Sequence, residues 1–302
     1  MATNAYKNQH LVTRSLQRRW TNDDTGASPG RLVCVTRSDV TSVSLASPKR
    51  NLAEDWFIGQ KADPERYEKS WGDAESAMAL AYVALDAHRG DDPVDDAASD
   101  AIKDFMALHA VRSKLTKLQW VHGLATVDPK RKAALAADSD LVDRLRATGE
   151  FETSLTDGQL IDEVVARLDD PLAIGGKGFG DTLLEVWTGL KRRFGAMYVE
   201  IAESVGSEFV LPDFPVVTFN AETGAVGIQN GVGLDCADTI VMPVGPRHVA
   251  SLTTQPPELP WDRIDVGRTA LLNTTLCEAA VEAVYFRPGS GLDATVQASL
   301  AV

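Results

Sequence analysis

The stretch GRLVCVTR, residues 30–37, alternates between the two sides of an extended chain, as a β-strand with one buried face does. A second candidate strand, residues 40–45, follows after a short polar turn, so the two segments predict a β-hairpin. A short apolar segment near the other end of the chain, residues 283–287, has the same strand character. We therefore expect strands from both ends of the chain to meet in one sheet.

Between these strands the hydrophobic period becomes that of a helix. Asp63 followed by Pro64 predicts a helix start, because aspartate caps well and proline fits the first helical position. Helical segments are predicted from Asp63 to about residue 90, from Asp95 to about 115, at 129–147, at 157–169, and from the glycine-rich loop at 174–181, with Asp181 as its cap, to about residue 201. About five helices are enough for a bundle.

Strand signals return after residue 206, at 209–219, 225–229, 238–242 and 248–253, before an extended linker at 254–261 and a helix at 264–283. The sequence therefore predicts an α+β fold, in which a mixed or antiparallel sheet from N- and C-terminal strands carries a large inserted helical bundle. Three parts are expected: a basic helix and β-hairpin at 1–62, the bundle at 63–206, and the C-terminal strands with a closing helix at 207–302. The last part is expected to share its sheet with residues 1–62.

The first fifty residues are basic, although the protein as a whole is acidic. Eight Lys and Arg side chains against three Asp give +5, which leaves −18 for the remainder because the whole chain carries −13. Such a segment is either a docking surface for an anionic partner or an internal clamp on the protein's own carboxylates. The total charge argues against nonspecific coating of DNA, since phosphates would be repelled outside any local basic patch.

The cysteine content and the apolar runs of the sequence indicate which class of protein and which cellular compartment to expect. Cys34, Cys236 and Cys277 are scattered without CxxC spacing, which favours reduced thiols in a cytoplasm over a disulfide framework or a zinc knuckle. No apolar run approaches the ~20 residues that a membrane helix needs, so we expect a cytoplasmic protein without membrane contact. The oligomeric state is left open.

Familiar catalytic motifs are absent from the sequence. The glycine-rich loop lacks the GxxxxGK[ST] spacing of a phosphate-binding loop, and no GxSxG nucleophile elbow is present. His88, His109 and His122 do not have metal-ligand spacing, so core or surface roles are expected for them. The sequence predicts no metal site and identifies no cofactor.

A cluster of basic residues near the N-terminus is the leading candidate site. Arg14 and Arg18 are four positions apart and share a helix face, with Arg19 beside them and His10 just upstream. The functional interpretation is a contact to phosphate or nucleic acid, with His10 as acid or base. In the alternative, the arginines pair with the acidic helices and His10 is a hydrogen-bonded structural residue.

Two polar residues in the C-terminal part form a second candidate. Asp213 lies at a predicted strand bend, where it is either a general base or metal ligand, or an acceptor of backbone N–H bonds. Asn273 is a poor helix former in the middle of a helix, and we expect it to hydrogen-bond the strand around Asp213. If His10 joined these two side chains, the three would form a hydrolytic pocket.

Seven segments, taken in order, resemble the bacterial family known as domain of unknown function 4238. They are NQHLVTRSLQRRW (8–20), GRLVCVTR (30–37), RYEKSWGDAESAMALAY with the acidic pair Glu68 and Glu75 (66–82), FMALHAVRSKL (105–115), LPDFPVV (211–217), MPVGPRH (242–248) and ALLNTTLCEAAVEAVY (270–285). Thr13 stands where the family often has proline, and Leu211-Pro212 replaces its Thr-Ser pair. The resemblance implies an order of elements and assigns no activity. Glu68 and Glu75 lie seven apart and either hold a cation or pair with the basic segment.

Three hypotheses for function follow from these features. The first is a non-catalytic recognition protein whose basic N-terminal face contacts nucleic acid or an acidic protein partner. Phage defence is a hypothetical setting for this role that no residue of the sequence supports. The second is a hydrolase, a nuclease or phosphodiesterase, that uses His10, Asp213 and Asn273. The third is a structural or assembly component, which an exposed apolar patch on the helical block would indicate.

Overall fold

The computed structural model describes residues 8–21, 30–49, 51–55, 57, 64–119, 134, 138–147, 154–169 and 177–301. Its strands are β1 (Asn8–His10), β2 (Leu32–Thr36), β3 (Asp39–Ala46), β4 (Ala53–Asp55), β5 (Tyr198–Ser204), β6 (Leu211–Pro212), β7 (Val217–Phe219), β8 (Thr239–Gly245), β9 (His248–Thr253), β10 (Trp261–Ile264) and β11 (Ala283–Phe286). Its helices are α1 (Arg14–Arg18), α2 (Pro64–Ala87), α3 (Asp96–Val111), α4 (Ser139–Ala147), α5 (Asp157–Asp169), α6 (Lys177–Gly195), α7 (Val266–Ala279) and α8 (Asp293–Leu300). The predicted α+β class is confirmed.

The two ends of the chain meet in a four-stranded antiparallel sheet, in the order β3–β2–β11–β6. Strand β2 pairs with β11, so that Cys34 lies opposite Tyr285. The expectation that terminal strands share a sheet is therefore confirmed. Residues Leu32 to Val35 are buried on both faces of β2, because one face packs on the helices and the other on a second core.

A five-stranded sheet, in the order β10–β5–β9–β8–β7, was not predicted as a separate unit. Strands β10 and β5 run parallel, whereas the other neighbours run antiparallel. All five strands come from residues 198–264, so this sheet contains no N-terminal strand. A short two-stranded sheet, β1 with β4, lies apart from both.

The helical layer is built mainly from α2, α3 and α6. One face of α2 is buried, with Trp71 and Met78 fully enclosed. Helix α3 begins where it was predicted, because the Asp95 carboxylate accepts the N–H of Ala98 at 2.7 Å and caps the helix. The predicted cap of α2, Asp63, lies outside the described residues, and a further helical turn at 114–119 follows α3.

Two predicted features around α6 are wrong. The helix was expected to run to about residue 201, but it ends at Gly195 and is followed by β5. The apolar spacing of Met197 and Ile201 fits a helix as well as a strand, so the period alone did not locate this boundary. Asp181, predicted as the helix cap, lies inside α6 and accepts a hydrogen bond from the Tyr67 hydroxyl at 3.1 Å.

One large hydrophobic core joins the N-terminal segment, the helical layer and the inner face of the five-stranded sheet, and it extends from Leu11 to Tyr285. A second core joins the other face of that sheet to the four-stranded sheet and to α7 and α8. Within the described part of the chain, no helix is long and apolar enough to cross a membrane.

Candidate functional site

The N-terminal helix α1 is fixed to the body by its buried face. Thr13 caps it, because its hydroxyl accepts the N–H of Leu16 at 3.3 Å, while its own N–H donates to Nε2 of His109 at 3.2 Å. At the far end the Trp20 indole N–H donates to the carbonyl of Phe209 at 2.7 Å. These bonds hold α1 between α3 and the C-terminal segment, so its opposite face is left to solvent.

Arg19 is an internal clamp. Its guanidinium donates to both carboxylate oxygens of Asp86, at 3.0 and 2.6 Å, and lies 4.5 Å from the centre of the Tyr82 ring. The side chain is only 15% exposed. The backbone at Gly245 lies so close that an added Cβ would stand 2.8 Å from Nε of Arg19. The alternative interpretation, pairing with an acidic helix, therefore describes this arginine.

Arg37 is also satisfied inside the protein. Its Nε donates to the carbonyl of Ala280 at 2.9 Å, and its Nη2 donates to the carbonyls of Cys277 and Glu278 at 2.8 and 2.9 Å. These are carbonyls at the C-terminal end of α7, where a positive charge is favourable. Part of the basic N-terminal segment thus holds the fold together.

Arg14 and Arg18 differ from these two residues because both are exposed on the solvent face of α1. No ion pair joins either guanidinium to a described residue. The exposed Lys49 comes directly after Pro48, whose carbonyl accepts a hydrogen bond from His10. His10 lies just before α1, so this bond brings Lys49 toward the helix. We call Arg14, Arg18 and Lys49 the cationic face.

His10 lies at the edge of the cationic face. Its Nε2–H donates to the carbonyl of Pro48 at 3.0 Å, and the side chain is half-buried. Burial lowers the pKa of His10, and the nearby cations Arg112 and Arg14 lower it further. The ring is therefore neutral at pH 7, with one nitrogen already bound to the backbone.

A cleft of about 530 Å³ opens where the terminal segments meet. Four of the seven segments that resemble the family contribute to its lining, namely 8–20, 105–115, 211–217 and 270–285. Two ion pairs, Lys114 with Glu282 and Lys117 with Glu54, also line it. The sequence did not single out these lysines, because their partners are distant in the chain.

Asp213 lines the cleft, and backbone groups occupy its carboxylate. One oxygen accepts the N–H of Val281 and the other that of Glu282, each at 2.8 Å, while the Asp213 N–H donates to the carbonyl of Ala283 at 3.0 Å. Burial raises the pKa of Asp213, and these backbone bonds oppose the rise. The geometry matches the predicted acceptor of backbone N–H bonds.

Asn273 binds backbone on both sides of its amide. Its Oδ1 accepts the N–H of Val210 at 3.0 Å, and its Nδ2 donates to the carbonyl of Glu208 at 2.8 Å. The side chain thus fastens α7 to the segment before β6, as expected. Of the three proposed hydrolase residues, Asp213 lines the cleft and the other two, His10 and Asn273, do not.

The acidic pair on α2 has two different partners. Glu68 accepts a hydrogen bond from Nε2 of Gln9 at 3.2 Å, and Glu75 pairs with the buried Arg112 at 3.0 Å. One partner belongs to the N-terminal segment and the other to the end of α3. No group of three or more metal-ligating side chains occurs among the described residues.

A comparison with protein-family models finds one described as "Protein of unknown function (DUF4238)", which matches residues 8–290 of the 302-residue chain. The match extends over the cationic face, the cleft and the helical layer. Searches of the curated proteins and of the solved structures found no match.

Proposed function

The chain belongs to the DUF4238 family, whose description assigns no activity, and we propose from the geometry of its N-terminal segment that it is a recognition protein for nucleic acid. The contact is made by the cationic face. The single observation that carries the proposal is that Arg14 and Arg18 are exposed without an ion-pair partner among the described residues, whereas Arg19 and Arg37 are bound internally.

Phosphate suits this face better than other anions do. Each arginine presents a planar fork that binds phosphate oxygens in a bidentate manner. One turn of helix brings Arg14 and Arg18 to the same side, about 5–6 Å apart at their Cβ atoms. The acidic remainder of the protein limits the contact to a few phosphates, so a short single strand fits better than a long duplex.

We expect the protein to bind a single-stranded oligonucleotide of about 15 nucleotides weakly and in a salt-dependent manner. Replacing both arginines (R14Q with R18Q) should weaken binding by about tenfold, equal to roughly 1.4 kcal/mol. The slope of log affinity against log salt should fall by about 1.4, since each phosphate contact to a single strand contributes about 0.7. Fluorescence anisotropy at several salt concentrations measures both quantities.

The matched control removes two exposed arginines elsewhere (R144Q with R192Q) and changes the net charge equally. This control should bind as the unaltered protein does. Equal weakening in both double variants would contradict the proposal, because it would reduce the effect to overall charge. Equally tight binding of a polyglutamate peptide would also contradict it and favour an acidic protein partner.

The hydrolase hypothesis stays a prediction that the same oligonucleotide tests, since cleavage products would be visible on a gel. The assembly hypothesis would rest on exposed apolar side chains of the helical layer, namely Leu80 and Val83 on α2 and Val186 on α6. A few exposed apolar side chains are normal on a protein surface, so we propose recognition instead. We place the protein in the cytoplasm, which its three free thiols support, and phage defence stays a hypothesis.

A further inference from the structure

A groove of about 440 Å³ lies on the face of the five-stranded sheet that is turned away from the helical layer. Its floor is formed by side chains of β5, β8 and β9, and its walls by residues 219–225 and by α7. The groove shares none of its lining residues with the cleft at Asp213 or with the cationic face. Its volume is that of a pocket for a small organic molecule.

The lining of the groove is mainly apolar. The lining includes six apolar side chains: Ala202, Phe219, Val241, Val249, Ile264 and Leu272. Small-molecule sites combine such a surface with a few polar groups that fix orientation. A ligand that fills the groove must therefore carry an apolar body.

Glu200 is the acidic group in this lining. It lies on β5, opposite Ser251 of β9, and its side chain is half-buried. No hydrogen bond or ion pair joins its carboxylate to any other residue that the structure describes. Burial raises the pKa of Glu200, the neighbouring Asp262 raises it further, and the positive charge of Arg268 lowers it. Arg268 acts on Glu200 without an ion pair or hydrogen bond, so the carboxylate lacks the directly bonded partner that a partly desolvated charge requires.

The charges near Glu200 leave one negative charge uncompensated. Arg268, which also lines the groove, pairs with Asp262 at 2.7 Å, and the Asp262 side chain is 18% exposed. The pair neutralises itself, so Glu200 accounts for the remaining −1. An anionic ligand would be repelled, and a neutral apolar ligand would bury the carboxylate without a partner. An ammonium group satisfies it.

We propose that this groove binds a small organic cation, a primary ammonium carried on an apolar body, whose nitrogen pairs with Glu200 while the body lies on the sheet. The aromatic ring of Phe219 provides one wall for the body. The site is independent of nucleic-acid recognition by the cationic face. Three probes of similar shape but different charge test whether binding requires a positive charge. They are the cation 2-phenylethylamine, the neutral 2-phenylethanol and the anion 3-phenylpropionate.

Isothermal titration calorimetry at about 150 mM salt should detect binding of 2-phenylethylamine, because screening at this salt weakens nonspecific attraction to the acidic protein. The alcohol and the carboxylate should bind at least about tenfold more weakly. The E200Q variant should lose at least about tenfold in affinity for the amine. In E222Q, which removes an exposed carboxylate of the nearby loop, affinity should stay within about twofold.

A second variant tests the apolar part of the site without changing a charge. Ala202→Leu fills the groove and should abolish amine binding. Thermal unfolding checks that E200Q and A202L are both folded. Equal affinity of E200Q and the unaltered protein for the amine would overturn the proposal. So would equal affinity for putrescine, which carries charge without a comparable apolar body, or the absence of any binding of 2-phenylethylamine.

Discussion

Asn273 shows how one buried amide connects two parts of the chain. It is 1% exposed, and both polar ends of its side chain bind backbone groups of the segment before β6. Asn273→Ala would leave the N–H of Val210 and the carbonyl of Glu208 without this partner. Each unsatisfied buried group costs about 1–3 kcal/mol, but the bond to the Glu208 carbonyl is only partly buried. We therefore expect the free energy of unfolding to fall by about 2–4 kcal/mol. Urea denaturation measures the change.

The neighbouring Thr274 provides the control. It is half-buried on the same helix, and its hydroxyl donates to the carbonyl of Ala270 in the preceding turn, in a hydrogen bond that is exposed to solvent. Thr274→Ala should change the unfolding free energy by less than about 0.5 kcal/mol. If Asn273→Ala were no more destabilising than Thr274→Ala, the amide would not hold α7 in place.

The sequence predicts residues of this kind better than it predicts surface roles. The structural role of Asn273 follows from its poor helix propensity, and that of Asp213 from its place at a strand bend. The difference between Arg18 and Arg19 has no local signal. It depends on Asp86, which lies 67 residues from Arg19 along the chain and meets it only in the folded protein.

At the scale of elements, His109 couples α3 to α1. Its Nδ1–H donates to the carbonyl of Phe105 at 3.0 Å, which leaves Nε2 to accept the N–H of Thr13. Burial lowers the pKa of His109 to about 3. The folded protein keeps the ring neutral, whereas the unfolded chain protonates it below pH ~6.5. Stability contributed by this residue is therefore lost as the pH falls from about 6.5 toward 3.

We expect this linkage to lower the free energy of unfolding by roughly 2–4 kcal/mol between about pH 7.5 and pH 4. His109→Gln keeps a donor and an acceptor without a titrating group, so its pH dependence should be flatter. Denaturation midpoints across this pH range provide the test, and parallel curves for H109Q and the unaltered protein would contradict the coupling.

Elements with a clear local sequence signal, such as an alternating pattern or a capping residue, were predicted well, and elements without such a signal were not. The β2–β3 hairpin and the start of α3 at Asp95 follow from alternation and from a capping residue. Strand β10 was missed, because its four residues follow a proline-rich segment and are held by parallel pairing with β5. Parallel pairing joins residues that are far apart in sequence, so no local sequence pattern predicts it.

At the scale of the whole molecule, the N-terminal segment is part of the main core. Leu16, Trp20 and Leu32 are fully buried in it, and β2 lies between β3 and β11 in the four-stranded sheet. Burying each such side chain contributes about 1.5–3 kcal/mol, so three contribute about 5–9 kcal/mol. This is comparable to the total stability of a domain, about 5–15 kcal/mol. Residues 1–62 and 63–302 should therefore depend on each other to fold.

Separate expression of these two fragments tests the dependence. Neither fragment alone should show a cooperative urea transition, because 63–302 lacks two strands of the four-stranded sheet and 1–62 lacks the surfaces that bury its apolar residues. Refolded together, the fragments should copurify and regain the near-ultraviolet circular dichroism of the intact chain. Trp20→Ala in the short fragment should weaken their association, since the indole fills the core and bonds the carbonyl of Phe209. A cooperative transition of 63–302 alone, at the midpoint of the intact protein, would show instead that the N-terminal segment is an accessory and not part of the folding unit.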